Sequence, residues 1–349
     1  MRDELQRRFP ALRELPAGSY VVGGAVRDLL LGREPVDVDI ASNDPAAAAA
    51  RIGRRVIRLG SVDHLSAWRV VEGGHVYDVA ALEGGAIGPD LARRDFTVNA
   101  MAVALDDGAM LDPHDGRGDL RRRLVRMVDP SNFDDDPLRC LKAVRMAVRF
   151  DLEVEQETLA AIRTRADTIT RVAPERVTYE LEAIFTSSRF RKAAALLHAA
   201  GLDRPLFGGP IASTFGADDV SCAGAMAILV PDPRAYAKRW RWSTDLLRQV
   251  TALQKLVVSR GDRRVALYDA GEGVARQLPP ILRALGEDDR LEMPDFSIQP
   301  MLGGEAIGEV TGLAPGPELG RIKRALLEAQ IRGEVRTLEE ATRFVSFRA

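Results

Sequence analysis

YVVGGAVRDLLLGREPVDVDIAS, residues 20–42, holds the order of elements on which the fold turns. An apolar run ends in Gly23 and Gly24, a short helical segment carries Arg27, and a second strand sets Asp37 and Asp39 two residues apart. Side chains two apart on a strand share a face, so the two carboxylates project together and can share a divalent cation. Hard cations such as Mg2+ take a few carboxylate oxygens and leave their other positions to water and substrate phosphates. The glycines supply the complement: lacking side chains, they let a phosphate approach backbone N–H groups and the positive end of a helix beginning near Ala25. Arg27 in its first turn adds a charge-assisted contact. A strand DxD alone is often a solvated face, and a glycine pair alone is often a tight turn. Together they describe a nucleoside triphosphate held for metal-assisted nucleotidyl transfer. A dinucleotide-binding fold fits less well, because GGAVRD lacks GxGxxG spacing and the acids come much earlier than a ribose-binding acid would.

The chain around this stretch has 349 residues, which is long for one core and suggests two or more packed units. Hydrophobic residues make up 46% and charged residues 29%, with a formal net charge of -2, so any nucleic-acid surface must be local. Cys140 and Cys222 lie far apart without CxxC or Cys/His spacing, which fits core thiols in a reducing compartment and excludes a thiolate zinc site. The N-terminal MRDELQRRFPALRELPAG resembles a surface helix without the apolar core of a signal peptide, and AGAMAILV at 223–230 is too short to span a bilayer. A soluble, cytoplasmic protein is expected.

Strand signals crowd into residues 19 to about 112: YVV, VDVDI, RVIRL, WRVV, HVYDVAAL and NAMAVAL. Among them SNDPAAAAARIG marks a helix capped by Asp44 with Pro45 in its first position. From about 117 onward the pattern is helical almost throughout, with a composition shift around EDDRLEMPDFSIQPMLGG before a last helix, GPELGRIKRALLEAQIRG.

In DDPLRCLKAVR, Asp136 reads as an N-cap, Pro137 as the first helical residue, and Arg139 as one turn later on the same face. A carboxylate beside a guanidinium offers an acceptor next to donors. Cytosine and adenine each present an amino donor beside a ring-nitrogen acceptor, whereas uracil and guanine reverse that order. One Asp/Arg pair can therefore accept C and A and reject U and G. The plainer alternative is a capping Asp in an (i, i+3) ion pair. Lys142, Arg145 and Arg149 continue a basic stripe suited to triphosphate or RNA backbone.

GGAVRDLLLG followed by DVDIA resembles the first motif of the class II tRNA nucleotidyltransferases (CCA-adding enzymes) and bacterial poly(A) polymerases, within the DNA polymerase beta superfamily. RRDFTVNAMA at 93–102, DPHDGRGDL at 112–120, DDPLRCLKAVRMAVRF at 135–150 and ERVTYELEAIF at 175–185 follow in the order of that family. The resemblance implies an α+β fold, with a polymerase-beta-like mixed α/β head over 1–116, a helical neck with the base-selecting motif over 117–195, a helical body over 196–290 and a helical, tRNA-binding tail over 291–349. It also implies catalytic Mg2+ at Asp37 and Asp39 and a triphosphate at Gly23, Gly24 and Arg27. Arg94, Asp95 and Asn99 would lie near the ribose and phosphates. Asp136 and Arg139 would serve as a side-chain template for the incoming base, with Lys142 and Arg145 beside it. Asp78 stands where the superfamily often has a third strand carboxylate, and a structural strand acid fits that position equally.

Three departures stand out. The family usually has Glu at the place of Asp135 and Arg at that of Lys142, and lysine cannot make a bidentate contact. Between YDVAAL and DLARRDF the chain has only EGGAIGP, where CCA-adding relatives carry a longer flexible loop thought to help switch specificity from C to A. A truncated loop is a feature of the CC-adding subgroup.

The expected activity is template-independent addition of C and/or A to the tRNA 3′ end from CTP and ATP. A poly(A) polymerase is the alternative, although the chain stops at RFVSFRA without a long basic extension and has a pI near 6.2. An inactive RNA-binding relative is a further alternative, opposed by the presence of Asp37, Asp39, Arg27 and Arg94. The HisAsp of DPHDG does not suggest an HD phosphohydrolase, since His64, His75, His114 and His198 show no second clustered pair. RNA contact is expected from RFRK (189–192), KRWRW (238–242) and RIKR (321–324), with Trp240 and Trp242 either stacking on bases or buried.

Overall fold

The computed structural model describes residues 1–59, 67–259 and 261–348; His64 lies outside them. The chain divides into two compact units, Met1–Ile184 with Leu196–Pro210, and Phe185–Ala195 with Ile211–Ala349.

The first unit is built on a seven-stranded sheet: β1 (Ser19–Val22), β2 (Asp37–Ser42), β3 (Val56–Leu59), β4 (Ala67–Glu72), β5 (His75–Ala81), β6 (Ala102–Ala104) and β7 (Met110–Leu111), in the order β3-β4-β5-β2-β1-β6-β7. β2 is central. It pairs antiparallel with β1, setting Asp39 against Val22, and parallel with β5, setting Asp39 against Asp78. Its alternation is strict where the site needs it: Val38 and Ile40 are buried, while Asp37 and Asp39 point to the opposite, open face.

Short helices join and cover the strands: α1 (Arg2–Arg8), α2 (Gly24–Leu30), α3 (Pro45–Ile52), α4 (Ile87–Ala92) and α5 (Gly116–Arg122). The Asp44 side chain accepts the Ala47 N–H at 3.0 Å with Pro45 at the start of α3, as its sequence predicts. Leu5, Phe9 and Leu12 of the N-terminal segment are buried, so α1 and the turn after it are fastened by an apolar stripe.

Beyond 117 the helical reading holds with one exception. β8 (Leu124–Val125) and β9 (Glu153–Val154) form a small parallel pair, too short to leave a strand period in the sequence. Around it lie α6 (Asn132–Asp135), α7 (Arg139–Phe150), α8 (Gln156–Arg165) and α9 (Pro174–Phe185). Cys140 on α7 is fully buried, and burial pushes its thiol up to about 12. Cys222 is only half-buried at the first turn of a helix, so it is not the core thiol that the sequence suggested.

The described residues of the second unit form helices joined by irregular segments, the longest over 286–303, and no strand among them. Its last three helices, Gly304–Thr311, Pro317–Ile331 and Leu338–Ser346, share a core that includes Ile307, Leu326, Ala341 and Val345. Thr337 and Glu340 close the last helix with a capping box. Among the described residues no helix is long and apolar enough to cross a membrane.

Candidate active site

Gly23 adopts φ 72° and ψ −126° between β1 and α2, a conformation open to glycine alone. A Cβ there would lie 2.7 Å from Arg94 Nη1 and 3.5 Å from Asp39 Oδ2. The missing side chain therefore makes room for two functional groups. Gly24 opens α2, whose next turn brings Arg27 inward.

Arg27 is buried yet multiply held. Its Nε and Nη2 donate to Asp28 Oδ1 at 2.9 and 2.7 Å, and its Nη1 donates to Asn99 Oδ1 at 2.6 Å. The guanidinium lies 4.3 Å from the centroid of the Phe150 ring. Desolvation is the main influence on its proton affinity and lowers it, with Asp28 opposing. Asn99 Nδ2 in turn donates to Asp95 Oδ1 at 2.9 Å, and Arg94 donates to Asp90 Oδ2 from Nε and Nη2 at 3.2 and 3.0 Å.

These residues line one cleft of about 260 Å³: Gly23, Gly24, Arg27, Asp37, Asp39, Arg94, Asp95, Asn99, Arg145, Met146, Arg149 and Phe150. Water reaches Asp39 through the mouth, but protein crowds its carboxylate. Desolvation above all raises its pKa to about 6; Arg94 pulls down, and Asp37 and Asp78 push up. Asp78 sits one strand away, where Arg69 of β4 donates to both its oxygens at 2.8 and 2.7 Å. Among the described residues no group of three or more Asp, Glu, His or Cys is arranged to hold a metal. Asp37 and Asp39 are thus the hard-oxygen pair that α2, Arg94 and Arg145 surround.

A second hollow of about 370 Å³ adjoins the first and shares Arg94 and Asp95 with it. Glu83, Asp90, Arg93, Asp136, Arg139 and Lys142 complete its lining.

Residues 19–83 and 72–126 match the model of the poly A polymerase head domain, and 151–213 match that of a probable RNA and SrmB-binding site of polymerase A. Curated relatives include the CCA-adding enzymes of Streptococcus pyogenes serotype M2, 27% identical with 98% of each chain covered, and of Streptococcus thermophilus, 27% identical with 97% of this chain and 95% of the relative covered. Among solved structures, the Bacillus stearothermophilus CCA-adding enzyme in complex with CTP superposes with a TM-score of 0.78 at 26% identity over 99% of this chain and 97% of that one. A Thermotoga maritima CCA-adding enzyme complexed with tRNA shares the fold, with a TM-score of 0.74 at 23% identity over 98% and 94%. The chain belongs to the family of tRNA nucleotidyltransferases and bacterial poly(A) polymerases.

The second hollow is lined by Asp136 and Arg139, the pair that the sequence leads one to expect at the base. Asp136 follows α6 in extended conformation, and α7 begins at Arg139, two residues later than a simple Asp136 N-cap would give. The Asp136 side chain nonetheless caps locally, accepting the Leu138 N–H at 3.3 Å. Arg139 does not pair with it. Its Nη1 donates to the Asn132 carbonyl at 3.0 Å, and Asp136 instead faces Arg176 and Lys142. The plain (i, i+3) ion pair is therefore not formed, and both Asp136 and Arg139 line the hollow.

Several residues of this family member escape sequence reading. Phe150 gathers three guanidinium groups, those of Arg27, Arg33 and Arg149 at 4.3, 5.0 and 5.3 Å from its centroid; an apolar residue at a helix end gives no sign of this. Asn132 is buried and donates from Nδ2 to the carbonyls of Ala92 and Arg94 at 3.0 and 2.9 Å, fixing the turn that carries Arg94 and Asp95. Glu83, in the short EGGAIGP connection, pairs with Arg93, whose guanidinium also lies 3.6 Å from Asp135. His114 and Asp115 sit at the start of α5, where Asp115 pairs with Arg122 at 2.8 Å.

Of the basic clusters, Arg191 and Lys192 line a hollow of about 420 Å³ in the second unit together with Arg189. Trp240 is buried beneath Arg239, and Trp242 is half-buried near Tyr236. Arg324 of RIKR is engaged by Asp269 and by Glu328, the latter at 2.8 Å.

Proposed function

We propose that this chain is a template-independent tRNA 3′-end nucleotidyltransferase that adds C and/or A from CTP and ATP with release of pyrophosphate. The observation that carries this reading is the pair of adjoining hollows: one joins Asp37 and Asp39 to guanidinium groups and open glycine backbone, and the other presents Asp136 and Arg139. The relatives named CCA-adding enzymes support it, as does the family member in complex with CTP.

In this reading the RNA 3′ oxygen forms a bond to the α-phosphorus while the bond from that phosphorus to the β-phosphate bridge oxygen breaks. Asp37 and Asp39 offer the oxygen pair that would hold Mg2+, which when bound would polarise the phosphoryl oxygens and help the pyrophosphate leave. The fit rests on donor chemistry: two hard carboxylate oxygens share one face, and burial first, then the charge of Asp37, raises Asp39 to about 6, so a cation would favour the ionised pair. Gly23 and Gly24 leave backbone open to the phosphates, and Arg27 and Arg94 offer charge-assisted contacts. Asp95 and Asn99 fix those two arginine-bearing segments beside the ribose and phosphates. Asp136 accepts from the exocyclic amino group of C or A while Arg139 donates to the ring nitrogen. Lys142 and Arg145 extend that positive face. Asp78, held by Arg69, is a strand acid and not a third metal ligand. A location with tRNA in the cytoplasm belongs to this reading.

Addition of CC alone is favoured by one observation. The stretch between β5 and α4 is a single short turn, Glu83–Gly85, anchored by the pairing of Glu83 with Arg93. A single experiment separates the outcomes: tRNA lacking its CCA end, or ending in CC, is incubated with CTP and ATP separately and together. Addition of two C residues and no A identifies CC addition, and complete CCA identifies the full reaction. Long A tails on arbitrary RNA would overturn the tRNA reading in favour of a poly(A) polymerase. No incorporation at all would leave an inactive RNA-binding relative.

A further inference from the structure

LLLGRE at 29–34 ends α2 in a way that fixes one more guanidinium beside the cleft. Gly32 takes φ 66°, the left-handed step that closes a helix, and the Arg33 N–H reaches back to the Asp28 carbonyl at 2.8 Å. Arg33 is thereby carried to Phe150 at the C-terminal end of α7, its guanidinium 5.0 Å from the ring centroid. Arg27 lies 4.3 Å and Arg149 5.3 Å from the same centroid. Arg27 and Phe150 are buried, whereas Arg149 and Arg33 are exposed, so the three cations form a series that runs from the protein interior to solvent.

Like charges gathered on one ring repel, and the neighbouring carboxylates are engaged elsewhere. Asp28 holds Arg27, Glu34 pairs with Arg8, and Asp151 pairs with Arg123. Among the described residues no carboxylate pairs with Arg33 or Arg149. Burial chiefly lowers the proton affinity of Arg27, Asp28 opposes, and Arg149 adds to the lowering. A ring face attracts each guanidinium but neutralises none. The arrangement therefore favours an anion that touches Arg33 and Arg149 together.

We propose that Arg33 and Arg149, gathered on the Phe150 ring beside Arg27, form a second anion site at the edge of the cleft that receives inorganic pyrophosphate as it leaves. The inference rests on the nucleotidyl-transfer reading above. As the RNA 3′ oxygen bonds to the α-phosphorus and gives its proton to water, the electron pair of the broken bond departs on the bridge oxygen. Pyrophosphate thus carries one negative charge more than it did as the end of the triphosphate. Its attraction to uncompensated guanidinium groups rises at the moment of cleavage. Arg149 lines the cleft and Arg33 stands beyond its lining, so Arg149 serves both triphosphate and product, and Arg33 the product alone. An RNA backbone fits this site less well, since it spaces its charges along an extended strand, whereas three guanidinium groups about one ring suit one compact polyanion.

The test is equilibrium binding of inorganic pyrophosphate and of CTP, each with Mg2+, to the full chain and to Arg33→Gln, Arg33→Lys and Arg149→Gln. In Arg33→Gln the affinity for pyrophosphate should fall about tenfold, the worth of one charge-assisted contact, while that for CTP stays within about threefold and the thermal midpoint within about 3 °C. Arg33→Lys should recover part of the pyrophosphate affinity, since the charge remains and the planar stack on Phe150 does not. Arg149→Gln should weaken both ligands. During incorporation into tRNA lacking its CCA end, the inhibition constant of pyrophosphate should rise in Arg33→Gln by the same factor as its dissociation constant. If Arg33→Gln weakens CTP as much as pyrophosphate, or weakens neither, the inference fails while the functional reading stands. If the unaltered chain incorporates neither C nor A while Arg33→Gln selectively loses pyrophosphate, the anion site stands and the functional reading fails.

Discussion

Asp39 is pulled two ways. Its β2 neighbours force it onto the open face beside Asp37, and the protein around it makes its charged form costly in the absence of a cation, raising its carboxyl to about 6. Because the folded value lies above the unfolded one, protonated Asp39 adds stability to the metal-free fold. That contribution is complete below about pH 4 and disappears as the pH rises through about 6. Asp39→Asn keeps a neutral group at all pH. In chelator, its thermal midpoint should therefore exceed that of the unaltered chain above pH 6 and converge with it below about pH 4. A midpoint that does not separate with pH would refute this electrostatic account. The same substitution should lower nucleotide incorporation by about a thousandfold, because an oxygen of the metal-holding pair is lost. Asp78→Asn is the contrasting case. With its carboxylate engaged by Arg69, incorporation should stay within about threefold; loss as severe as for Asp39→Asn would establish Asp78 as a third ligand. Gly23→Ala should weaken nucleotide binding, since its Cβ meets Arg94 at 2.7 Å and the backbone strain adds about 1–3 kcal/mol, readable as raised KM and a lower thermal midpoint.

At the scale of elements, the parts of the site differ in how far the sequence discloses them. The β1–α2–β2 segment was legible because its signals are local: glycines where the backbone must open, alternation that turns Val38 and Ile40 inward, and an arginine on the short helix between the strands. α7 was legible as a helix with a basic stripe, but its partners were not. That Arg139 meets the Asn132 carbonyl, that Asp136 faces Arg176 forty residues on, and that Phe150 collects three arginines are all consequences of packing. Such pairings leave no period in one chain. The β8–β9 pair escaped for the related reason that two residues cannot show an alternation. Phe150 provides a test at this scale. Phe150→Leu keeps apolar volume but removes the ring face under Arg27, Arg33 and Arg149. Each such contact is worth about 0.5–2 kcal/mol, so the KM for CTP should rise several-fold with kcat little changed. A fall in kcat with unchanged KM would place the ring's role elsewhere.

For the whole molecule, the net charge of -2 means that attraction of RNA cannot come from an overall field. It has to come from local cations facing solvent. The family resemblance implies a head, neck, body and tail, and we propose those boundaries as functional ones, whereas compactness divides the chain into two units, with Met1–Ile184 and Leu196–Pro210 in the first. Residues 117–184 belong with the sheet because they are bonded to the 92–97 segment, with the Thr97 N–H donating to the Arg126 carbonyl, the Val128 N–H to the Asp95 carbonyl and Asn132 to the carbonyls of Ala92 and Arg94, an arrangement that a shift from mixed to helical composition does not reveal. In the second unit, the hollow lined by Arg191 and Lys192 is a candidate for backbone contact. Replacing both with Ala should reduce the slope of log affinity for tRNA against log salt by about 1–2, measured by titration at several ionic strengths. An unchanged slope would remove this face from the RNA path.

The two hollows have a party wall. Arg94 and Asp95 line both hollows, the one proposed for the phosphates and the one proposed for the base, so neither compartment can be deformed alone. A nucleotide with the wrong edge, crowding Asp136 and Arg139, would lean on the same two residues that border its α-phosphate. On the proposed reading, fidelity would be written into turnover as well as occupancy: an ill-matched base would lose speed by misaligning its own reacting phosphorus, even after gaining entry.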